Sequence, residues 1–129
     1  MIVGFTGTRS GMTASQAEHL RHLLILLDPV EFHHGDCVGA DRQAHDIAQS
    51  LHIPTVIHPA TSPNQRAHCR GACRILEPKP PLDRNQDIVV ACSKLLATPS
   101  TTAEHLRSGT WATIRYARSQ KKPVYILRP

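Results

Sequence analysis

Residues 2–29 read IVGFTGTRSGMTASQAEHLRHLLILLDP, and the fold can be predicted outward from them. The apolar run at residues 2–5 predicts a buried strand. Glycines and hydroxyl side chains follow, and Thr13 with Gln16 makes a capping box, which predicts the start of a helix. Apolar residues then recur at helical spacing: Ala17, Leu20, Leu24 and Leu27. Because Pro29 ends the helix, the stretch predicts a strand, a loop and a helix that packs on a sheet.

The same rhythm repeats along the chain. Four further apolar runs predict strands: VEF at 30–32, PTVIHP at 54–59, KLLAT at 94–98 and PVYIL at 123–127. Between them, Asp41 and Asp83 are predicted to cap two helices, and Gly109 with Thr110 to open a fourth, in which Trp111 packs inward. Short right-handed crossovers then predict an α/β fold, a single Rossmann-like three-layer α/β/α sandwich with a mainly parallel five-stranded sheet. We expect one domain over residues 1–129.

The segment from Pro59 to Pro81 departs from this rhythm because it is long and proline-rich. We expect it to be a lid or to contain a short inserted helix. In a helix, Arg66, Arg70 and Arg74 would share one face. Such a face would hold a polyphosphate or a nucleic-acid backbone, or would only be solvated surface.

Composition favours an anionic partner. The net charge is +5, and arginine, whose planar fork matches phosphate and carboxylate oxygens, supplies most of the positive residues. The amino terminus lacks the pattern of a secretory signal and no apolar run reaches membrane-spanning length, so we expect a cytoplasmic protein that does not bind membranes. The four cysteines form no CxxC pair and are expected to be reduced thiols.

Loops at the carboxyl ends of parallel strands meet at one edge of a sheet, and small residues at helix amino ends let an anion approach backbone N–H groups. The glycine-containing loops GTRSGM (7–12) and GDCVGAD (35–41) and the hydroxyl-rich loop at 98–110 are therefore expected to line one crevice. Asp36 would accept hydrogen bonds from sugar hydroxyls. The predicted ligand-binding residues are Gly7, Thr8, Arg9, Ser10, Gly35, Asp36, Gly39, Thr98, Pro99, Ser100, Thr101, Arg107, Ser108, Gly109 and Thr110. The other interpretation of the first loop is a strand-to-helix turn without a ligand.

Three histidines near the second loop raise the question of a metal. His33 and His34 are neighbours in a predicted strand, so their side chains point to opposite faces and would not reach one ion together with His45. We predict no metal site and no cofactor.

Four segments, taken in order, resemble the SLOG superfamily of Rossmann-like nucleotide-binding domains, in particular its small stand-alone YspA/YpsA-related group. They are GFTGTRSGMT (4–13), HHGDCVGAD (33–41), PLDRNQDIV (81–89) and TPSTTAEHLRSGTWATIRYAR (98–118). The resemblance implies a crevice for a nucleotide or nucleotide-derived ligand. It implies phosphate near residues 100–110, the sugar or base near Gly7, Thr8 and Asp36, and a homodimer.

The superfamily includes the lonely-guy phosphoribohydrolases and the DNA-processing protein DprA, which imply alternatives. Gly109 and Thr110 match the GT pair of the lonely-guy phosphate loop, but Ala112 and Thr113 stand where that motif carries acids. An N-glycosidase acting on nucleoside 5'-monophosphates would need Arg84 and a substitute acid: Glu104, Asp36 or Asp83. We rank a nucleotide sensor or sequestering domain first, the N-glycosidase second, and DprA-like binding of single-stranded DNA third, because the chain has few aromatic residues for base stacking.

Overall fold

One parallel sheet forms the centre of the molecule, with helices on both faces. The computed structural model describes residues 1–129. Its strands are β1 (Ile2–Gly7), β2 (Glu31–His34), β3 (Thr55–Ile57), β4 (Arg74–Ile75), β5 (Lys94–Thr98) and β6 (Val124–Ile126). Its helices are α1 (Ala14–Leu27), α2 (Ala40–Ser50), α3 (Pro81–Ala91) and α4 (Gly109–Ser119). The predicted Rossmann-like three-layer fold is confirmed.

The strand order β4-β3-β2-β1-β5-β6 places the topological switch point between β1 and β5. Gly7 lies opposite Thr98 in the register of these two strands, and the Thr8 N–H donates to the Thr98 carbonyl at 3.1 Å. The loops that leave β1 and β5 therefore start side by side. In an open parallel sheet this is where a crevice for a ligand forms.

Side chains that alternate along the strands fill the space between the sheet and the helices on its two faces. Val3 and Phe5 of β1 point to the face covered by α1 and α2, where they join a cluster with Leu20, Leu24 and Phe32. On the other face Leu95 packs with Ile88 and Val89 of α3 and Ala117 of α4, beside a group formed by Ala97, Trp111 and Ile114. The inward positions predicted for α1 and for Trp111 are confirmed.

The capping box of α1 is also confirmed. The Thr13 hydroxyl accepts from the Gln16 N–H at 3.0 Å, and the Gln16 Oε1 accepts from the Thr13 N–H at 2.9 Å. The buried Gln16 amide also donates to the Pro99 and Leu127 carbonyls, each at 2.8 Å. Because these carbonyls follow β5 and β6, Gln16 fastens the start of α1 to the loops beside the switch point.

Two predicted caps are wrong. Helix α2 begins at Ala40 behind Gly39, whose φ of 85° favours glycine, so Asp41 lies inside the first turn and does not cap it. Helix α3 begins at Pro81, and Asp83 in its first turn makes no capping bond. Proline suits a first helical position because its fixed φ is helical and the N–H that it lacks would be unpaired there. Helix α4 opens at Gly109 as predicted, with the Ser108 hydroxyl accepting from the Trp111 N–H.

The segment from Pro59 to Pro81 holds a short helical turn, as expected, and also a strand that was not predicted. It contains one 3-10 turn, Pro63–Gln65, and strand β4, which pairs with β3 and makes the sheet six-stranded where five strands were predicted. Its three arginines share no helix face. Arg66 pairs with Asp36 and Arg74 with Glu31 of β2, because contacts to the sheet replace local helical bonding. None of the helices in the fold combines the length and apolar character that crossing a bilayer requires.

Candidate functional site

A cavity of about 530 Å³ opens at the carboxyl ends of the central strands; we call it the main cavity. The loop after β1 contributes Gly7, Thr8 and Arg9, and the loop after β2 contributes Gly35 and Cys37, with Asp41 from α2. The start of α3 contributes Arg84 and Asn85. The loop before α4 and its first turn contribute Ser100, His105, Arg107, Ser108, Gly109 and Thr110. The structure thus brings the three predicted loops together.

Several predicted site residues lie outside the main cavity. Ser10 bonds to the Thr8 hydroxyl at 2.8 Å, and Thr101 accepts from the Trp111 indole at 3.0 Å. Glu104 forms an ion pair with Arg115 at 2.9 Å and does not line the cavity. The remaining ones outside its wall are Asp36, Gly39, Thr98 and Pro99, and the alternative acid Asp83.

The main cavity is electropositive. Arg9, Arg84 and Arg107 line it, and so do the amino ends of α3 and α4. The first backbone N–H groups of a helix have no partner within the helix, and the helix dipole adds a partial positive charge there. Pro81 at the start of α3 has no N–H, so α4 offers more free donors than α3. Nothing lies within 4 Å of a Cβ placed on Gly109, so a ligand can approach the start of α4. The arrangement suits an anion.

Arg84 is a buried cation held by neutral groups. It is 4% exposed, and its Nη1 donates to the carbonyls of Gly35 at 2.6 Å and His58 at 3.2 Å. Its Nε donates to the Asn85 Oδ1, and its Nη2 has only the Cys37 thiol at 3.6 Å. A Cβ on residue 35 would lie 2.5 Å from Nη1, so a larger residue there would displace the Arg84 guanidinium. Because no carboxylate forms an ion pair with it, Arg84 is suited to an anionic ligand.

Asp41 is the only carboxylate that lines the main cavity. It is 6% exposed, and its Oδ2 accepts from the backbone N–H groups of Gly35 and Cys37, both at 3.1 Å. Burial raises the pKa of Asp41 to about 6. A carboxyl of that pKa can give or take a proton near neutral pH. Sequence reasoning missed it because an aspartate at the start of a helix is usually a cap.

Asp36 has a different role from the predicted one. Its side chain is buried and accepts from the Arg66 Nε at 2.8 Å and from the Cys69 N–H at 2.9 Å. Burial acts to raise the pKa of Asp36, but Arg66 and the Cys69 N–H together hold it below its ordinary value. Both carboxylate oxygens are therefore bound to the segment from Pro59 to Pro81, not turned to the main cavity.

A second pocket of about 180 Å³ adjoins the main cavity; we call it the side pocket. The two share Arg9, Gly35, Cys37, Pro81 and Arg84. The residues that belong to the side pocket alone are Asp36, Ala60, Ser62, Asn64, Gln65 and Arg66. Most of them come from the proline-rich segment, so that segment forms the outer wall.

The histidines form two separate pairs, as their strand positions predicted. His33 bonds to His58 at 2.8 Å and to Glu31 at 2.9 Å on one face, whereas His34 bonds to His45 at 2.9 Å on the other. Burial lowers the pKa of His34 to about 3 and that of His58 to about 4. All four rings are buried or nearly so.

The ligand atoms of His34, His45 and Cys69 lie within 4.8 Å of one another. The His34 Nδ1 accepts from the Asp36 N–H, so its Nε2 carries the proton and donates to His45, whose Nε2 donates to the Arg70 carbonyl. Burial and the neighbouring Asp36 raise the pKa of Cys69 to about 12, which keeps it a thiol. In this arrangement His34 and His45 form a hydrogen-bonded pair beside the Cys69 thiol, and the three groups would bind a metal only by releasing protons.

Comparison with known proteins shows the fold. No protein-family model matches the sequence. No curated protein matches it either. Among solved structures, a molybdenum cofactor binding protein from Rippkaea orientalis matches with a TM-score of 0.75 and 19% identity, covering 99% of this chain and 76% of that one.

Two further solved structures have a similar fold. The molybdenum cofactor carrier protein from Chlamydomonas reinhardtii matches with a TM-score of 0.70 and 18% identity, covering 99% of this chain and 77% of that one. DprA from Streptococcus pneumoniae matches with a TM-score of 0.68 and 17% identity over 96% of this chain, which spans about half of DprA, 49%. These likenesses show the fold alone, and that fold agrees with the resemblance of the sequence motifs to the SLOG superfamily.

Proposed function

We propose that the protein binds a nucleotide or nucleotide-derived, phosphate-containing ligand in the main cavity and acts as a sensor or sequestering domain. The observation that carries this proposal is the convergence of Arg9, Arg84 and Arg107 with two helix amino ends on a single cavity. These groups supply both charge and N–H donors to phosphate oxygens. The volume of about 530 Å³ lies within the range typical of small-molecule sites.

The structural neighbours support ligand binding in general terms. Two are described as a binding protein and a carrier protein for the molybdenum cofactor. Their low sequence identity carries over only the fold, so the class of ligand proposed for this chain rests on its own arginines and helix ends. We further infer, from the superfamily resemblance, a cytoplasmic homodimer, which sedimentation velocity and cell fractionation would test.

Titration calorimetry with nucleoside monophosphates, the matching nucleosides and inorganic phosphate tests the proposal. At least one monophosphate should bind, and its nucleoside should bind about 10 to 100 times more weakly, because charge-assisted hydrogen bonds to phosphate contribute about 1.5 to 3 kcal/mol. Equal binding of nucleoside and nucleotide, or no binding of any phosphate compound, would contradict it.

One observation favours a second candidate, hydrolysis of the N-glycosidic bond of a nucleoside monophosphate. Asp41 lines the main cavity, with its pKa raised to about 6 by burial, whereas Glu104 and Asp36 are engaged elsewhere. In such a reaction Asp41 accepts a proton from water as the water oxygen attacks the anomeric carbon. The glycosidic electron pair leaves with the base, which takes a proton from solvent while Asp41 returns its own proton to solvent, and the products are ribose 5-phosphate and free base.

Chromatography for free base after incubation with the monophosphates tests this activity. If it exists, Asp41→Asn should abolish release while leaving nucleotide binding within a few-fold of the parent. Glu104→Gln, which changes a carboxylate outside the cavity, is the matched control and should retain full activity. Release of base that survives in Asp41→Asn would exclude Asp41 as the acid.

A further inference from the structure

The proline-rich segment is fastened to the loop after β2. The Val38 N–H donates to the Gln65 carbonyl at 2.8 Å, and the Ala67 N–H donates to the Asp36 carbonyl at 2.7 Å. The Asp36 carboxylate also pairs with Arg66. These contacts hold residues 65–67 against the loop and give the side pocket a defined outer wall.

Charge is divided between the two compartments. Three arginines that form no ion pair, Arg9, Arg84 and Arg107, line the main cavity with the buried Asp41, and Arg9 and Arg84 also line the side pocket at the boundary. The part that belongs to the side pocket alone holds one cation and one anion, Arg66 and Asp36, which neutralise each other. An anionic group is therefore suited to the main cavity and its boundary with the side pocket, and a neutral group to the part of the side pocket beyond Arg9 and Arg84.

The rim of the side pocket carries two primary amides. Asn64 and Gln65 line it and their residues are solvent-exposed, with Ser62 beside them. A carboxamide presents a donor and an acceptor side by side, the pattern that matches paired donors and acceptors on the edge of a heterocyclic base. The volume of about 180 Å³ is about a third of the 530 Å³ main cavity, so it suits one ring system and not a whole nucleotide.

We propose that the side pocket is a base-recognition subsite in which Asn64 and Gln65 read the edge of a nucleobase whose phosphate lies in the main cavity. This inference rests on the proposed function, because it needs a nucleotide in the cavity. It assigns the proline-rich segment a role in specificity. The ligand then spans the boundary at Arg9 and Arg84, with its sugar between the two compartments.

Calorimetry with ribose 5-phosphate, which lacks a base, and with the four common ribonucleoside monophosphates separates the two compartments. The best monophosphate should bind at least about tenfold more tightly than ribose 5-phosphate. In the Asn64→Ala/Gln65→Ala double variant this ratio should fall to about two or less, while the affinity for ribose 5-phosphate stays unchanged. Asn64→Asp, which keeps the size and removes the amide donor, should change the order of preference among the bases.

Gln120→Ala, an exposed amide just after α4, is the matched control and should keep the parent's ratio. Equal binding of ribose 5-phosphate and all four monophosphates would overturn the subsite and leave the proposed function standing. A double variant with the parent's ratio would also overturn it. If neither ribose 5-phosphate nor any monophosphate binds, the proposed function fails and the subsite with it. Because the two amides are exposed, an unchanged unfolding temperature of the double variant checks that the fold is intact.

Discussion

Arg84 and Arg107 face the same cavity from different surroundings. Arg84 is buried and bonded to two carbonyls and an amide, so it also holds the loop after β2 and the end of β3 in place. Arg107 is exposed and makes no hydrogen bond within the protein. Substitution of Arg84 therefore changes both structure and binding, whereas substitution of Arg107 changes binding alone. Arg107 is the informative position for testing phosphate recognition.

Arg107→Ala should weaken binding of the best nucleoside monophosphate about tenfold or more, because it removes a guanidinium that can bond two phosphate oxygens. Arg9→Ala should have the next largest effect, since Arg9 stands at the boundary with the side pocket. Calorimetry gives both values, with Arg118→Ala in the last turn of α4 as the control for total charge. If both variants bind as tightly as the parent, the phosphate does not lie where we place it.

Among the elements, the proline-rich segment depends most on a single side chain. Its 3-10 turn has no capping bond, and strand β4 is two residues long, so little local structure stabilises it. The Asp36 carboxylate supplies two of its attachments, to Arg66 and to the Cys69 N–H, and the main-chain carbonyl of residue 36 accepts from the Ala67 N–H. The left-handed φ of 57° at Asp36, which aspartate tolerates better than most residues, turns its side chain toward the segment.

Asp36→Ala should therefore loosen the segment around Arg66 and Cys69, while the sheet and the main-chain hydrogen bonds to the loop after β2 persist. We expect the amide of Cys69 to exchange its hydrogen at least tenfold faster and the free energy of unfolding to fall by about 1.5 to 3 kcal/mol, the range for hydrogen bonds to a charged group. Hydrogen exchange followed by mass spectrometry measures the first effect, and urea denaturation the second. Asp46→Ala, an exposed aspartate of α2, should change neither. Unaltered exchange at Cys69 in the Asp36 variant would show that other contacts fasten the segment.

At the scale of the whole molecule, buried titratable groups make stability depend on pH. His34 and His58 have folded pKa values of about 3 and about 4, below the ordinary 6.5, so the unfolded chain binds more protons than the folded one in acid. Their contribution to the free energy of unfolding is therefore present above pH 6.5 and is lost as the pH falls below 6.5. Asp41 opposes this, because its folded pKa of about 6 exceeds its ordinary 3.8 and the folded chain gains protons there.

The two histidines change the free energy of unfolding more than Asp41 does, because there are two of them and the pKa shift of each is larger. At about 1.4 kcal/mol per pKa unit, the free energy of unfolding should fall by about 3 kcal/mol between about pH 7 and about pH 4.5. Urea denaturation at the two pH values measures the loss, which should be smaller in His58→Asn and larger in Asp41→Asn. The exposed His22→Asn should leave it unchanged. If the parent and the three variants all lose the same free energy of unfolding, these buried groups do not control stability in acid.

Apolar periodicity and capping residues in the sequence determined the fold class, the order of five strands and four helices, and the start of α1 and α4. These features depend on neighbours close along the chain. Glycine and hydroxyl patterns likewise indicated the loops that line the main cavity, because strand ends in a parallel sheet meet at one edge. The cap predictions at Asp41 and Asp83 were wrong because the local pattern is ambiguous. An aspartate near the start of a helix looks the same in the sequence whether it caps the helix or lies inside the first turn.

Only the tertiary structure decided which acid faces the cavity. Asp36 and Asp41 lie five residues apart, in the loop after β2 and in the first turn of α2. Asp36 nevertheless binds Arg66 and Cys69 of a distant segment, while Asp41 lines the cavity. Strand β4 and the side pocket follow from the same long-range pairings. Such contacts join residues about 30 positions apart, and their energies depend on burial and direction, which no local sequence pattern encodes.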